Sequence, residues 1–195
     1  MTKALCHQNV AAVSLVLKVP DMDNSTNDSH WVTCFVGLGS NLANELGSPV
    51  NHLQQALDSM KKNEDIREVR VSSFYASAPM GPQDQPDFIN AVAGFETTMA
   101  PFELLSFCQQ LETEAKRARL RRWGERSLDV DILLYGDLQL MEPQLTIPHA
   151  GLRERNFVLI PLRELAPDLI ISETSIVDYP HSHDWTGLRL LSPAD

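Results

Sequence analysis

Leu128-Asp-Val-Asp-Ile-Leu-Leu-Tyr135 is an apolar run interrupted at alternate places by two carboxylates, Asp129 and Asp131. Alternate residues of a strand share one face, and at ~3.3 Å per residue the two acids stand roughly 7 Å apart along the chain. The apolar flanks argue that this strand is largely buried. Gly136-Asp137 then turns it. Working back towards the start, residues 102–119 carry apolar side chains at 104, 105, 108, 111 and 115, a helical spacing, behind Pro101 at a helix first turn. Residues 88–95 read as a strand, and residues 80–87, with Gly81, Pro82 and Pro86, as a loop. Residues 69–75 are β-branched and aromatic and read as a strand. Residues 50–60 have the helical pattern 50, 53, 56, 57, 60. Residues 31–36 form a short apolar strand that runs into Gly37-Leu-Gly-Ser-Asn41. Read forwards, the order is βαββαβ, which predicts an α+β, ferredoxin-like sandwich: an antiparallel sheet with helices on one face. Two proline-punctuated pieces between 145 and 169 are added to it.

The chemistry begins with the acid pair. Two buried carboxylates repel each other and are costly without a cation between them. Magnesium takes one or two protein carboxylates and completes its shell with water and substrate phosphate oxygens. Two acids on a solvated, salt-bridged edge are the plain alternative. The stretch just upstream, Lys116-Arg-Ala-Arg-Leu-Arg-Arg-Trp-Gly-Glu-Arg126, gathers six of the sixteen lysines and arginines of the chain. Guanidinium forks match phosphate oxygens and stay charged, and Trp123 can pack on a base or an arginine plane. A basic helix end that only complements the helix dipole is the competing account. Next to Asp-x-Asp, the run reads as a triphosphate clamp opposite a metal. Gly37–Asn41 lacks the third glycine of a dinucleotide loop and the Gly-Lys-Ser/Thr end of a P-loop, so a tight turn is expected there. His149 alone is either a turn residue or a phosphate donor.

The bulk properties agree with a single enzyme domain. A chain of 195 residues with 43% hydrophobic content can bury one core. A net charge of -10 argues against nucleic acid as a partner. Cys6, Cys34 and Cys108 form no zinc pattern and read as reduced thiols. The apolar run at 10–19 is too short for a bilayer, which needs roughly 20 residues, and lacks the features of a signal peptide, so a cytoplasmic protein that meets no membrane is expected. Residues 1–30 read as an extension without a legible role, 31–170 as the domain, and 171–195 as a tail packed on it or extending it.

Taken together, Gly39-Ser-Asn41, Gly81-Pro-Gln-Asp-Gln-Pro-Asp-Phe-Ile-Asn90, Arg122-Trp-Gly-Glu-Arg-Ser-Leu-Asp-Val-Asp-Ile132, Ile147-Pro-His149 and Arg155-Asn-Phe-Val-Leu-Ile-Pro-Leu162 closely resemble the 6-hydroxymethyl-7,8-dihydropterin pyrophosphokinase family. The resemblance covers about residues 33–170. It implies transfer of the pyrophosphoryl group of ATP to the pterin hydroxymethyl group, giving AMP, by a monomer. It implies that Asp129 and Asp131 hold two magnesium ions, with Asp129 also facing the pterin. Arg117 and Arg126 are implied as phosphate-facing catalytic arginines, with Arg119 a third. Trp123 and His149 join the ATP contacts, as do Gln109, Glu112, Ile132 and Thr146 around the nucleotide. Phe88 and Phe157 are implied to stack on the pterin, with Asn90 and the backbone around Ser77, Ala78 and Met80 at its edge. The chain departs from the family pattern at Glu125, where proline is usual, at Gln144 and Ala150, and by one residue fewer between Arg119 and Trp123. These departures bear on nucleotide affinity more than on reaction type.

Overall fold

The computed structural model describes residues 30–116 and 124–192. Arg117, Arg119 and Trp123, three of the expected ATP contacts, lie outside those residues, as do Cys6 and almost all of the N-terminal extension. The chain runs β1 (Val32–Ser40), α1 (Pro49–Lys62), β2 (Ile66–Val71), β3 (Tyr75–Ser77), β4 (Phe88–Thr97), α2 (Pro101–Glu114) and β5 (Asp129–Tyr135). It continues with β6 (Leu140–Glu142), β7 (Leu145–Ile147), α3 (Asn156–Leu165), β8 (Ile170–Ile171), β9 (Thr174–Ser175) and β10 (Leu188–Leu190). The main sheet has the order β10-β3-β4-β1-β5, with β2 also on β4, and all its pairings are antiparallel. With β2 and β3 counted as one broken strand, this is the expected βαββαβ order. None of the helices among the described residues is long and apolar enough to cross a membrane.

The two predicted helices form where expected, and the structure adds the local reasons. Ser48 caps α1: its hydroxyl accepts from the Asn51 N–H, while Asn51 Oδ1 accepts from the Ser48 N–H. Pro49 fits the first turn, and Lys61 and Lys62 sit at the negative end of the dipole. In α2, Glu103 reaches back to the Ala100 N–H at 2.8 Å. The buried stripes of α1 (Leu53, Ala56, Leu57, Met60) and α2 (Leu104, Cys108, Leu111) cover one face of the sheet, against Val36, Leu38, Ala93, Phe95, Val130 and Ile132.

Four expectations are corrected. Helices lie on both faces, because α3 packs Val158, Leu159 and Leu162 against the opposite face through Phe35, Val92 and Leu133. Alternation along β1 and β5 supplies both faces at once. The strand expected over 69–75 is two strands, broken between Val71 and Tyr75. At the break the backbone finds a side-chain partner instead of a strand: Glu164 of α3 accepts from the Ser73 N–H (2.9 Å) and from both the Ser73 and Tyr75 hydroxyls. Gly37–Asn41 is not a tight turn, since β1 runs extended through Ser40. The helix predicted over 102–119 ends at Glu114, with Lys116 in the left-handed region at φ 54°.

His52 is buried in the α1 stripe at 1% exposure, and neither ring nitrogen has a protein partner among the described residues. Burial holds its pKa below the ordinary 6.5. The folded state therefore keeps the ring neutral, and the unfolded chain takes up the proton first as pH falls through 6.5. Stability linked to this group is present above 6.5 and lost below it. His52→Leu is expected to raise stability by about 1 kcal/mol at neutral pH and by more at about pH 5.5. Thermal melts of both proteins at the two pH values check this, and an equal gain at both removes the linkage.

Candidate active site

The register brings the chemistry together at one end of the sheet. Gly39 of β1 lies opposite Asn90 of β4 on one side and Asp129 of β5 on the other, and Gly37 lies opposite Asp131. A side chain on Gly39 would come within 3.5 Å of Asn90 Oδ1 and 3.9 Å of the Asp129 Cβ. The glycine thus makes a trough between an amide and an acid pair. Along β5, Val130 and Ile132 turn into the α1–α2 core, which leaves Asp129 and Asp131 on the α3 face.

A cavity of about 120 Å³ opens there. Gly37 and Gly39 floor it, and Phe88 from β4 and Phe157 from α3 line it together with Ser77, Ala78, Met80 and Asn90. Arg126, Asp129, Asp131 and Arg155 bring charge to the same space. Asn90 is buried and donates through Nδ2 to the Ser77 hydroxyl at 2.9 Å. Met80 is exposed at the rim. Each acid faces an arginine, and each arginine lies near a phenylalanine. Arg126 Nη1 stands 2.6 Å from Asp129 Oδ2, with its guanidinium 5.8 Å from the Phe88 ring centre. Arg155 Nη1 stands 3.9 Å from Asp131 Oδ2, with its guanidinium 6.0 Å from the Phe157 ring centre.

His149 approaches Asp131 from the side, Nε2 to Oδ2 at 3.7 Å. The Gly151 N–H donates to His149 Nδ1, so the neutral ring carries its proton on Nε2 and points it at the acid. Desolvation pulls the His149 pKa down, and Arg155 adds to this. The carboxylates of Asp131 and Asp129 push the other way, and the net shift is downward. The histidine is therefore a neutral donor near pH 7, not a resident cation.

The remaining expected nucleotide contacts lie off the cavity, around the outer edge of β5. Glu112 accepts from the Val130 N–H at 3.0 Å, with Gln109 exposed about one turn before it on α2. Thr146 is half-buried on β7. The Ile132 side chain is 3% exposed and belongs to the core, so only its backbone can meet a ligand.

Two contributors were not expected. Arg155 stood only as a letter of a motif, and nothing in its spacing ties it to Asp131 across the fold. Asn41 was read as a turn residue, yet it buckles two loops together. Its Oδ1 accepts from the Arg126 N–H, and its Nδ2 donates to Gln85 Oε1 and the Pro86 carbonyl, each at 3.0 Å.

The donor set suits magnesium. Among the described residues no group of three or more histidine, cysteine or acidic side chains converges on one point. What converges is a carboxylate pair beside open space, which matches an ion that relies on water and substrate phosphates for most of its shell.

The model of the 7,8-dihydro-6-hydroxymethylpterin-pyrophosphokinase (HPPK) family matches residues 35–167. A 2-amino-4-hydroxy-6-hydroxymethyldihydropteridine pyrophosphokinase of Haemophilus influenzae is 47% identical over 146 residues, 75% of this chain and 89% of that protein. Its counterpart in Pseudomonas aeruginosa is 48% identical over 135 residues, 69% of this chain and 81% of its own. Among solved structures, a Plasmodium falciparum HPPK-DHPS variant crystallised with pteroate superposes with a TM-score of 0.58 at 14% identity, covering 78% of this chain and 41% of that one, a likeness of fold. By both the family match and the identity of these relatives, the chain belongs to the 7,8-dihydro-6-hydroxymethylpterin-pyrophosphokinase family.

Proposed function

We propose that the protein transfers the pyrophosphoryl group of ATP to the hydroxymethyl group of 6-hydroxymethyl-7,8-dihydropterin, releasing AMP and the pterin diphosphate. The observation that carries this reading is the position of Asp129 and Asp131 on the wall of a cavity flanked by two phenylalanines and edged by a buried asparagine. A flat heteroaromatic fits between Phe88 and Phe157. The Asn90 amide and the backbone near Ala78 offer it both donors and acceptors. The triphosphate would lie along Asp129 and Asp131, with its base towards the β5 edge between Gln109 and Thr146.

Asp129 and Asp131 would hold two magnesium ions, which when bound supply charge neutralisation of the phosphates and acidify the pterin hydroxyl. Arg126 and Arg155 bring positive charge to the oxygens of the transferred group, and His149 offers a hydrogen bond from its Nε2–H to a phosphate oxygen while staying neutral. The described residues include no strong general base aimed into the cavity. The chain's contribution is position and charge, as expected for phosphoryl transfer with the attacking hydroxyl in line with the leaving AMP. Loop 80–87 and the segment that carries Arg126 are joined through Asn41, so the two substrate-bearing loops are held in one geometry.

Residues 31–170, with β10 of the tail added to the sheet, form the working unit in this reading, as a monomer in the cytoplasm that takes no nucleic acid. Buried, unpaired Cys34 and Cys108 accord with a reducing compartment. The test is AMP release from ATP and magnesium, with and without 6-hydroxymethyl-7,8-dihydropterin. AMP is expected only when the pterin is present. Equal AMP release without it rules the proposal out.

A further inference from the structure

Beyond the span matched by the family model, which ends at residue 167, the chain returns to the cavity. Strand β10 pairs with β3, Leu188 opposite Ser77 and Leu190 opposite Tyr75. The turn before it makes contact with both walls of the cavity. The Gly187 carbonyl accepts from the Ala78 N–H at 3.3 Å, on the β3 side. The Asp184 and Thr186 carbonyls accept from Asn156 Nδ2 at 2.8 and 2.9 Å, on the α3 side. Asn156 directly precedes Phe157, whose ring packs on a small cluster of Tyr75, Ile160 and Leu188. Trp185 lies 5.9 Å from Tyr75 between ring centres, on the same brace.

We infer that the 184–190 segment is a brace that sets the width of the pterin slot, with Asn156 its positioning residue. A stacked ligand needs its two walls at a fixed separation, and here Phe88 of β4 stands opposite Ser77 of β3 in the register while Phe157 stands at the start of α3. Both walls are tied to one turn. Asn156 donates both N–H groups of its amide to that turn, so the frame around Phe157 does not depend on the ligand to close it. The phosphate side is held separately: the Arg155 guanidinium lies against Gly151, where an added Cβ would meet its Nε at 2.6 Å. Loosening the brace should therefore weaken the pterin more than ATP. This rests on the pterin reading of the cavity.

Asn156→Ala removes both hydrogen bonds, and Asn156→Asp keeps the volume while losing both donors. Leu188→Ala removes packing beneath Phe157 without touching the amide. Each is expected to raise the Kd and KM for 6-hydroxymethyl-7,8-dihydropterin roughly five- to tenfold. The KM for ATP should stay within about twofold. Assays well below each variant's melting temperature separate this from loss of fold. If the wild-type chain binds no pterin, the pterin reading falls and takes the brace with it. If the wild-type chain binds the pterin while all three variants keep its Kd within twofold, or lose ATP and pterin equally, the brace alone is overturned.

Discussion

Asp131→Ala is expected to lower kcat for AMP formation by at least about a thousandfold, the scale of losing a principal charge partner in a preorganised site. Asp129→Ala should do the same, and both variants should melt within a few degrees of the parent. The fold is expected to tolerate the change because neither carboxylate supports the core: Val130, Ile132 and Leu133 carry the packing of β5. The two variants should differ in what they leave behind. Without Asp131, Arg155 and His149 lose the acid that they face at 3.9 and 3.7 Å. The uncompensated positive charge of Arg155 attracts phosphate, so ATP binding measured without magnesium should hold or tighten in Asp131→Ala. The part of ATP affinity that magnesium adds should vanish. Calorimetric titration of ATP with and without the metal reads both quantities. Turnover within tenfold of wild type, or a magnesium increment that survives in both variants, sinks the metal assignment.

Much of this site was legible because it depends on short-range pattern. Alternation alone put Asp129 and Asp131 on one face, and the helical spacing at 50–60 and 102–119 found α1 and α2, the second too long by several residues. The family resemblance supplied Phe88, Asn90 and Phe157, which periodicity would have assigned to ordinary core. What escaped depends on contacts between distant parts of the chain. The break between β2 and β3 is stabilised by Glu164, about ninety residues away in sequence, and no local propensity announces it. Gly39 looked like a turn because glycine often is one. Its place is in an extended strand between Asn90 and Asp129, where the missing side chain leaves the cavity floor open. Arg155 and Asn156 were invisible as site residues for the same reason. Their partners, Asp131 and the turn at 184–187, lie on elements that meet them only after the sheet has formed.

Arg126→Ala is the second change with a large expected effect: a loss of about a hundredfold to a thousandfold in kcat/KM for ATP. The backbone at this position is fixed whatever the side chain. The Arg126 N–H donates to Asn41 Oδ1 at 2.9 Å, and its carbonyl accepts from the Asn41 and Leu42 N–H groups at 3.0 and 3.1 Å. Truncation therefore removes the guanidinium and leaves the loop in place. The guanidinium contributes in two ways. It lies 2.6 Å from Asp129, so the carboxylate is held in position before substrate arrives. It also lies 5.8 Å from the Phe88 ring centre, at the seam between the aromatic side of the cavity and the acids, where the proposed reading puts the transferred group. A lysine keeps the charge but loses the planar fork. Arg126→Lys should thus recover part of the ATP KM and little of kcat, because orientation in the transition state depends on the fork, while attraction in the ground state depends mostly on charge. A pterin Kd close to that of the parent in both variants would show that the slot is intact. If Arg126→Ala costs less than tenfold in kcat/KM, the charge that stabilises the transfer comes from elsewhere, and Arg155 becomes the residue to test.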